Sequence, residues 1–91
     1  MSVQFVTYDL RRPGQDYAGL FDSIKALGSW WHCLESVWLV KTHLTSGQVR
    51  DALHTHIHST DSLTVAELSG NWATLGLEED CVAWLRNNLA A

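Results

Sequence analysis

The chain has 91 residues, 46% of them apolar and five of them tryptophan, which is enough for one small domain with a core and too few for two. No stretch approaches the roughly 18 consecutive apolar residues of a membrane span. The formal charge is −4, and without a basic tail or lysine-rich stripe the chain lacks the electrostatic footprint of a strong nucleic-acid binder.

Val3 to Leu10 reads as a strand, rich in β-branched and aromatic residues and closed by the breaker pair Pro13-Gly14. Val3, Phe5, Thr7 and Asp9 fall on one face; Gln4, Val6, Tyr8 and Leu10 fall on the other. Apolar residues on both faces suit a central strand. Tyr17, Leu20, Phe21, Ile24 and Leu27 then follow the spacing of an amphipathic helix, with Asp16 placed to cap its start and Gly28 to end it.

Two apolar runs, Trp30 to Leu34 and Val37 to Thr42, predict a pair of antiparallel strands. Glu35-Ser36 between them is a poor tight-turn pair, since neither residue favours positive φ, so one long bent strand is the competing reading. Thr45 with Gln48 forms a capping box, and Val49, Ala52, Leu53, His56 and Ile57 make the apolar stripe of a second helix. Leu63 to Leu68 reads as the fourth strand. Beyond Asn71-Trp72-Ala73-Thr74, the series Leu77, Cys81, Leu85 and Leu89 predicts a third helix, widened by Val82 and Trp84. Residues 61–91 carry Arg86 against Asp61, Glu67, Glu78, Glu79 and Asp80. Three of these acids sit at the start of the third helix, where its dipole favours negative charge.

The order β-α-β-β-α-β-α predicts an α+β, ferredoxin-like βαββαβ sandwich: a four-stranded antiparallel sheet with two helices on one face and an extra C-terminal helix. One domain spans 1–91, with its core at 3–70 and a helical extension at 71–91. The second sheet face is apolar, so the third helix, a second subunit or both must cover it.

Asp9 stands out chemically. A carboxylate at the mouth of a strand, beside an open face, can bind a divalent cation, and a symmetric dimer could bring two together. Equally, it can cap the Arg11-Arg12-Pro13-Gly14 turn or pair with an arginine. His54, His56 and His58 form an HxHxH run, which reads as solvated or packed histidines near a helix end rather than a zinc site. Cys33 and Cys81, without a CxxC motif, read as two buried reduced thiols. The tryptophans read as core and interface anchors. GxSxG, Walker A, GxGxxG and HExxH motifs are absent from the sequence. Met1-Ser2-Val3-Gln4 carries neither the basic region nor the apolar run of a secretory signal, and a cytoplasmic location is expected.

Tyr8-Asp9-Leu10, Trp30-Trp31-His32 and the run Leu34-Glu35-Ser36-Val37-Trp38-Leu39-Val40-Lys41-Thr42 resemble the CRISPR-associated Cas2 proteins and the VapD-type toxin ribonucleases. They are most similar to small Cas2-like proteins of the SinR family. The resemblance covers about residues 3–70 and implies a ferredoxin-like homodimer. It implies a metal-dependent nuclease in which Asp9 holds Mg²⁺ and Tyr8 and Ser36 flank the site. Arg11 and Arg12 would neutralise the phosphate, with RNA favoured over DNA as substrate. Many Cas2 proteins instead hold DNA without cutting it. This chain departs from the family in its acidity and its helical tail. The alternative is a non-catalytic dimer of the same fold, acting as an antitoxin-like or regulatory partner for another protein.

Overall fold

The computed structural model describes residues 1–12, 14 and 16–89. Its elements are β1 (Ser2–Asp9), α1 (Ala18–Lys25), β2 (Ser29–Leu34), β3 (Val37–Thr42), α2 (Ser46–His54), β4 (Ser62–Leu68) and α3 (Glu79–Asn88). The strands form one antiparallel sheet in the order β2-β3-β1-β4. This is the ferredoxin-like arrangement with a C-terminal helix added. The chain turns between β2 and β3 at Glu35-Ser36, so the two-strand reading holds and the single bent strand does not. Pro13, half of the breaker pair expected after β1, lies outside the described residues.

The alternation along β1 separates two cores. On the inner face, Val6 packs with Leu20 and Ile24 of α1, Trp38 and Val40 of β3, and Val49 and Leu53 of α2. Trp38 is the largest side chain fully buried there, and its indole N–H donates to the Tyr8 hydroxyl at 3.0 Å. His32 lies flat on its ring with centroids 3.8 Å apart. Gln4 has no exposed surface, yet its amide is satisfied: Ser46 Oγ donates to Oε1 at 2.6 Å, and Nε2 donates to Ser2 Oγ and to the Leu44 carbonyl. A buried amide left unpaired would be costly, so this network fixes the approach to α2. The capping box then starts α2, with Thr45 Oγ1 accepting from Gln48 N and Gln48 Oε1 accepting from Thr45 N.

Several boundaries differ from those expected. Helix α2 stops at His54, so His56 and Ile57 pack from the turn that follows, and Ala52 is exposed. The N-cap of α1 is Tyr17, without a side-chain cap, rather than Asp16; Asp16, one residue earlier, accepts from Ala18 N at 2.8 Å. Gly28 plays no left-handed capping role, because its φ is not positive. A Cβ there would collide with the Lys41 carbonyl, so glycine is what lets the chain enter β2 closely against β3.

The outer face carries the second core: Val3, Trp31 and Leu39 from the sheet, and Leu85 and Leu89 from the α3 end of the chain. Helix α3 crosses this face over β2. Cys81 thereby meets Cys33, and the two form a disulfide with their Cα atoms 6.3 Å apart. This corrects the expectation of reduced thiols. A helix from the far end of the chain brings together residues separated by 48 positions, a meeting that no local spacing announces. Trp31 Nε1 donates to the Cys81 carbonyl and Trp84 Nε1 to Ser29 Oγ, both at 3.1 Å. A ten-residue helix is marginal on its own. Burying Leu85 or Leu89 contributes about 1.5–3 kcal/mol each. On the chain-entropy account, the crosslink contributes about 4 kcal/mol. The covalent tie is therefore the largest single contribution to the placement of α3.

Candidate functional site

The register of β1 determines what surrounds Asp9. Across the outer face, Trp31, Leu39, Phe5 and Ala66 form one row, and Val37, Thr7 and Thr64 form the next. Asp9 closes β1 opposite Ser62 of β4. Ala66 and Thr64 are exposed, and Phe5 and Val37 are half-buried, so the Asp9 end of this face is the part that α3 leaves open. A shallow cleft of about 190 Å³ lies there, lined by Thr7, Tyr8, Asp9, Ser62, Leu63 and Thr64.

Asp9 and Arg11 are brought together. Arg11 Nη2 donates to Asp9 Oδ2 at 2.6 Å, with the two side chains 61% and 60% exposed. A solvent-facing pair of this kind contributes about 0–1 kcal/mol, so a ligand can open it at little cost. Arg12 is exposed beside it. Ser36 sits in the β2–β3 turn at the same end of the sheet, its backbone carbonyl accepting from Thr7 Oγ1 at 2.9 Å. Tyr8 faces the opposite side of the sheet, where its hydroxyl accepts from Trp38.

One carboxylate offers two oxygens, whereas Mg²⁺ takes six ligands in near-octahedral array. Among the described residues, no group of three His, Cys, Asp or Glu side chains converges. A single copy therefore presents half a cation site at most. The remaining ligands would have to come from a second copy, from water and from substrate phosphate. The HxHxH histidines diverge: His54 is exposed at the end of α2, His56 shares a 2.8 Å hydrogen bond with Ser23 Oγ, and His58 meets the Tyr17 ring edge-on.

A second carboxylate, Asp61, counted in the sequence only among the acids of the C-terminal third, organises the loops behind Asp9. Asp61 accepts from Arg11 N at 2.7 Å and His58 N at 3.0 Å, and the Tyr17 hydroxyl reaches both its oxygens at 3.0 and 2.8 Å. Desolvation alone would raise the Asp61 carboxyl. The backbone N–H groups of Arg11 and His58 and the Tyr17 hydroxyl outweigh it and hold the group below its ordinary range. Tyr17 moves the other way, raised by desolvation and by the Asp61 carboxylate it donates to. Asp61 thus fixes the backbone of Arg11 and so the reach of its guanidinium toward Asp9.

No family model matches the chain, and no solved structure matches it. Among the described residues, no helix is long and apolar enough to cross a membrane.

Proposed function

We propose that the chain works as a homodimer of the Cas2-like kind, joined through the open part of its outer sheet face. In that dimer, Asp9 from two copies holds a divalent cation, Mg²⁺, for cleavage of phosphodiester bonds, in RNA rather than DNA. One observation carries this reading: the Asp9 carboxylate is exposed on the uncovered end of the outer face, where its cleft is lined by hydroxyl groups and its partner is an arginine.

Arg11 has two uses in this scheme. It rests on Asp9 in the free chain, and it turns to a substrate phosphate, which its guanidinium can grip through two parallel N–H donors. Arg12 adds a second positive charge beside it. Ser36 flanks the site from the β2–β3 turn. Tyr8 acts from behind, holding Trp38 and with it the β1–β3 pairing that aims Asp9 outward. A bound cation would supply charge stabilisation of the phosphoryl oxygens. The cytoplasmic location belongs to the same proposal; there, thiol pools would keep the Cys33–Cys81 pair reduced for part of the time.

The assay is cleavage of RNA and DNA by the full chain with Mg²⁺ or Mn²⁺, wild type against Asp9→Ala. Activity should fall by roughly a hundredfold or more, as expected for loss of a charge-stabilising group. Folding should not change, since the pair is exposed and weak. Equal cleavage by both proteins would identify a contaminating nuclease and remove the catalytic reading.

The acidic C-terminal third and the lack of a basic stripe favour a second reading, a non-catalytic antitoxin-like or regulatory dimer that binds another protein. It predicts a dimer in solution and no cleavage of either nucleic acid.

A further inference from the structure

We infer that α3 is a redox-latched cover: the Cys33–Cys81 bond holds it on the sheet, and reduction by a dithiol lets it lift and bares the outer face. The covalent and hydrogen-bonded attachments of α3 to the sheet gather on one strand. The disulfide, the Trp31 indole on the Cys81 carbonyl and the Trp84 indole on Ser29 all join it to β2, an edge strand. Beside the helix the cover is incomplete. An open apolar groove of about 200 Å³ is lined by Phe5, Trp31, Leu39, Trp72, Leu85 and Leu89, so side chains along it forgo part of their packing contacts. The latch is therefore the crosslink more than the interface.

Lifting α3 need not disturb the remainder of the fold. The inner core of α1, α2 and the sheet is a separate cluster that takes no residue from α3. The connection to α3 can swing, since Gly70 and Gly76 turn it at φ of +78° and +81°, and Leu75 between them is 99% exposed. Both cysteines are half-buried, which leaves a path for a small thiol.

The exchange is balanced by the dithiol. Its thiolate attacks one sulfur of the pair, forming a mixed disulfide and expelling the other cysteine as a thiolate. Its second thiol, as thiolate, then displaces the remaining cysteine. Two electrons pass to Cys33 and Cys81, which take up the two protons as thiols, and the reagent leaves as a disulfide. Val3, Trp31 and Leu39, now buried, would then join the half-open Phe5 and Val37 in one apolar surface. The thiol–disulfide state of the surroundings would thus set how much of this face is presented. None of this depends on Asp9.

The test uses the full chain, oxidised with glutathione disulfide or reduced with dithiothreitol, under chymotrypsin. Reduction should speed cleavage at Trp72, Leu77 and Trp84 by roughly tenfold or more, whereas Leu75, exposed in both states, is the internal reference. It should raise the fluorescence of an added hydrophobic dye, leave the far-ultraviolet dichroism of the sheet in place, and reverse on reoxidation. Cys33→Ser should behave as the reduced chain does and ignore dithiothreitol. If that variant fails to fold, reduction of the wild type still decides. Equal digestion and dye binding in both states would overturn the proposal, as would loss of the sheet on reduction. So would two free thiols by titration after oxidation, for then no latch forms.

Discussion

Asp61 receives donors from three segments of the chain: the exit of β1, the entry to α1 and the turn after α2. Because its folded carboxyl lies below the unfolded value, the unfolded state binds more protons as pH falls through the acid range. Its contribution is therefore present above about pH 4 and lost as pH drops toward the folded value. Tyr17 is raised instead, so its contribution holds below about pH 10 and fades in stronger alkali. Asp61→Asn should lower the denaturation midpoint near neutrality and flatten its fall below about pH 4, measured by urea titrations at stepped pH. A variant with an unchanged acid slope would show that another carboxylate governs it. In the sequence, Asp9 was visible because aspartate is unusual in a strand. Asp61 was not, since its partners Tyr17 and Arg11 lie 44 and 50 positions away. Its role exists only once two loops have met.

Elements were more legible than side-chain partners. Periodicity placed three helices and four strands within a few residues of where they fold, because each buries one stripe or face. The pattern fails where apolar residues outlast the helix. His56 and Ile57 continue the stripe of α2 but pack from the following turn, where His56 meets Ser23. Gly28 was misread for a related reason. Its freedom from a Cβ serves a contact with the Lys41 backbone on the next strand, which lies beyond the reach of local spacing. The two cores predict different responses to truncation. Leu53→Ala, in the fully buried inner cluster, should cost about 2–5 kcal/mol of global stability. Leu85→Ala, beside an open apolar groove, leaves a hollow open to solvent rather than an enclosed void, so it should cost about 2 kcal/mol and be felt mainly around Trp84. Denaturation followed by dichroism, beside chymotrypsin digestion of the native state, separates the two. Equal global losses would mean that the clusters are one cooperative unit.

In the whole molecule, the sheet separates two jobs. Its inner face holds α1 and α2 over a packed core; its outer face is shared between α3 and the open end that carries Asp9. An apolar outer face requires a cover, and the third helix, one of the candidates legible in the sequence, supplies it. The covalent bond is not legible there, because two isolated cysteines become neighbours only through that cover.

The same bond changes the chain's connectivity. Residues 33 to 81 close into a covalent ring holding β3, α2 and β4, while β1 and α1 remain on a free arm. Yet β1 lies between β3 and β4 in the sheet. The arm must therefore thread its strand into a slot whose two walls belong to one closed loop. With the ring shut, those walls stay close in the denatured chain, and less entropy is lost in forming the slot. The oxidised chain should thus refold from urea faster than the reduced one, with β1 the last strand to dock. Stopped-flow tryptophan fluorescence would record the difference, and equal rates would mean that the slot assembles without help from the ring.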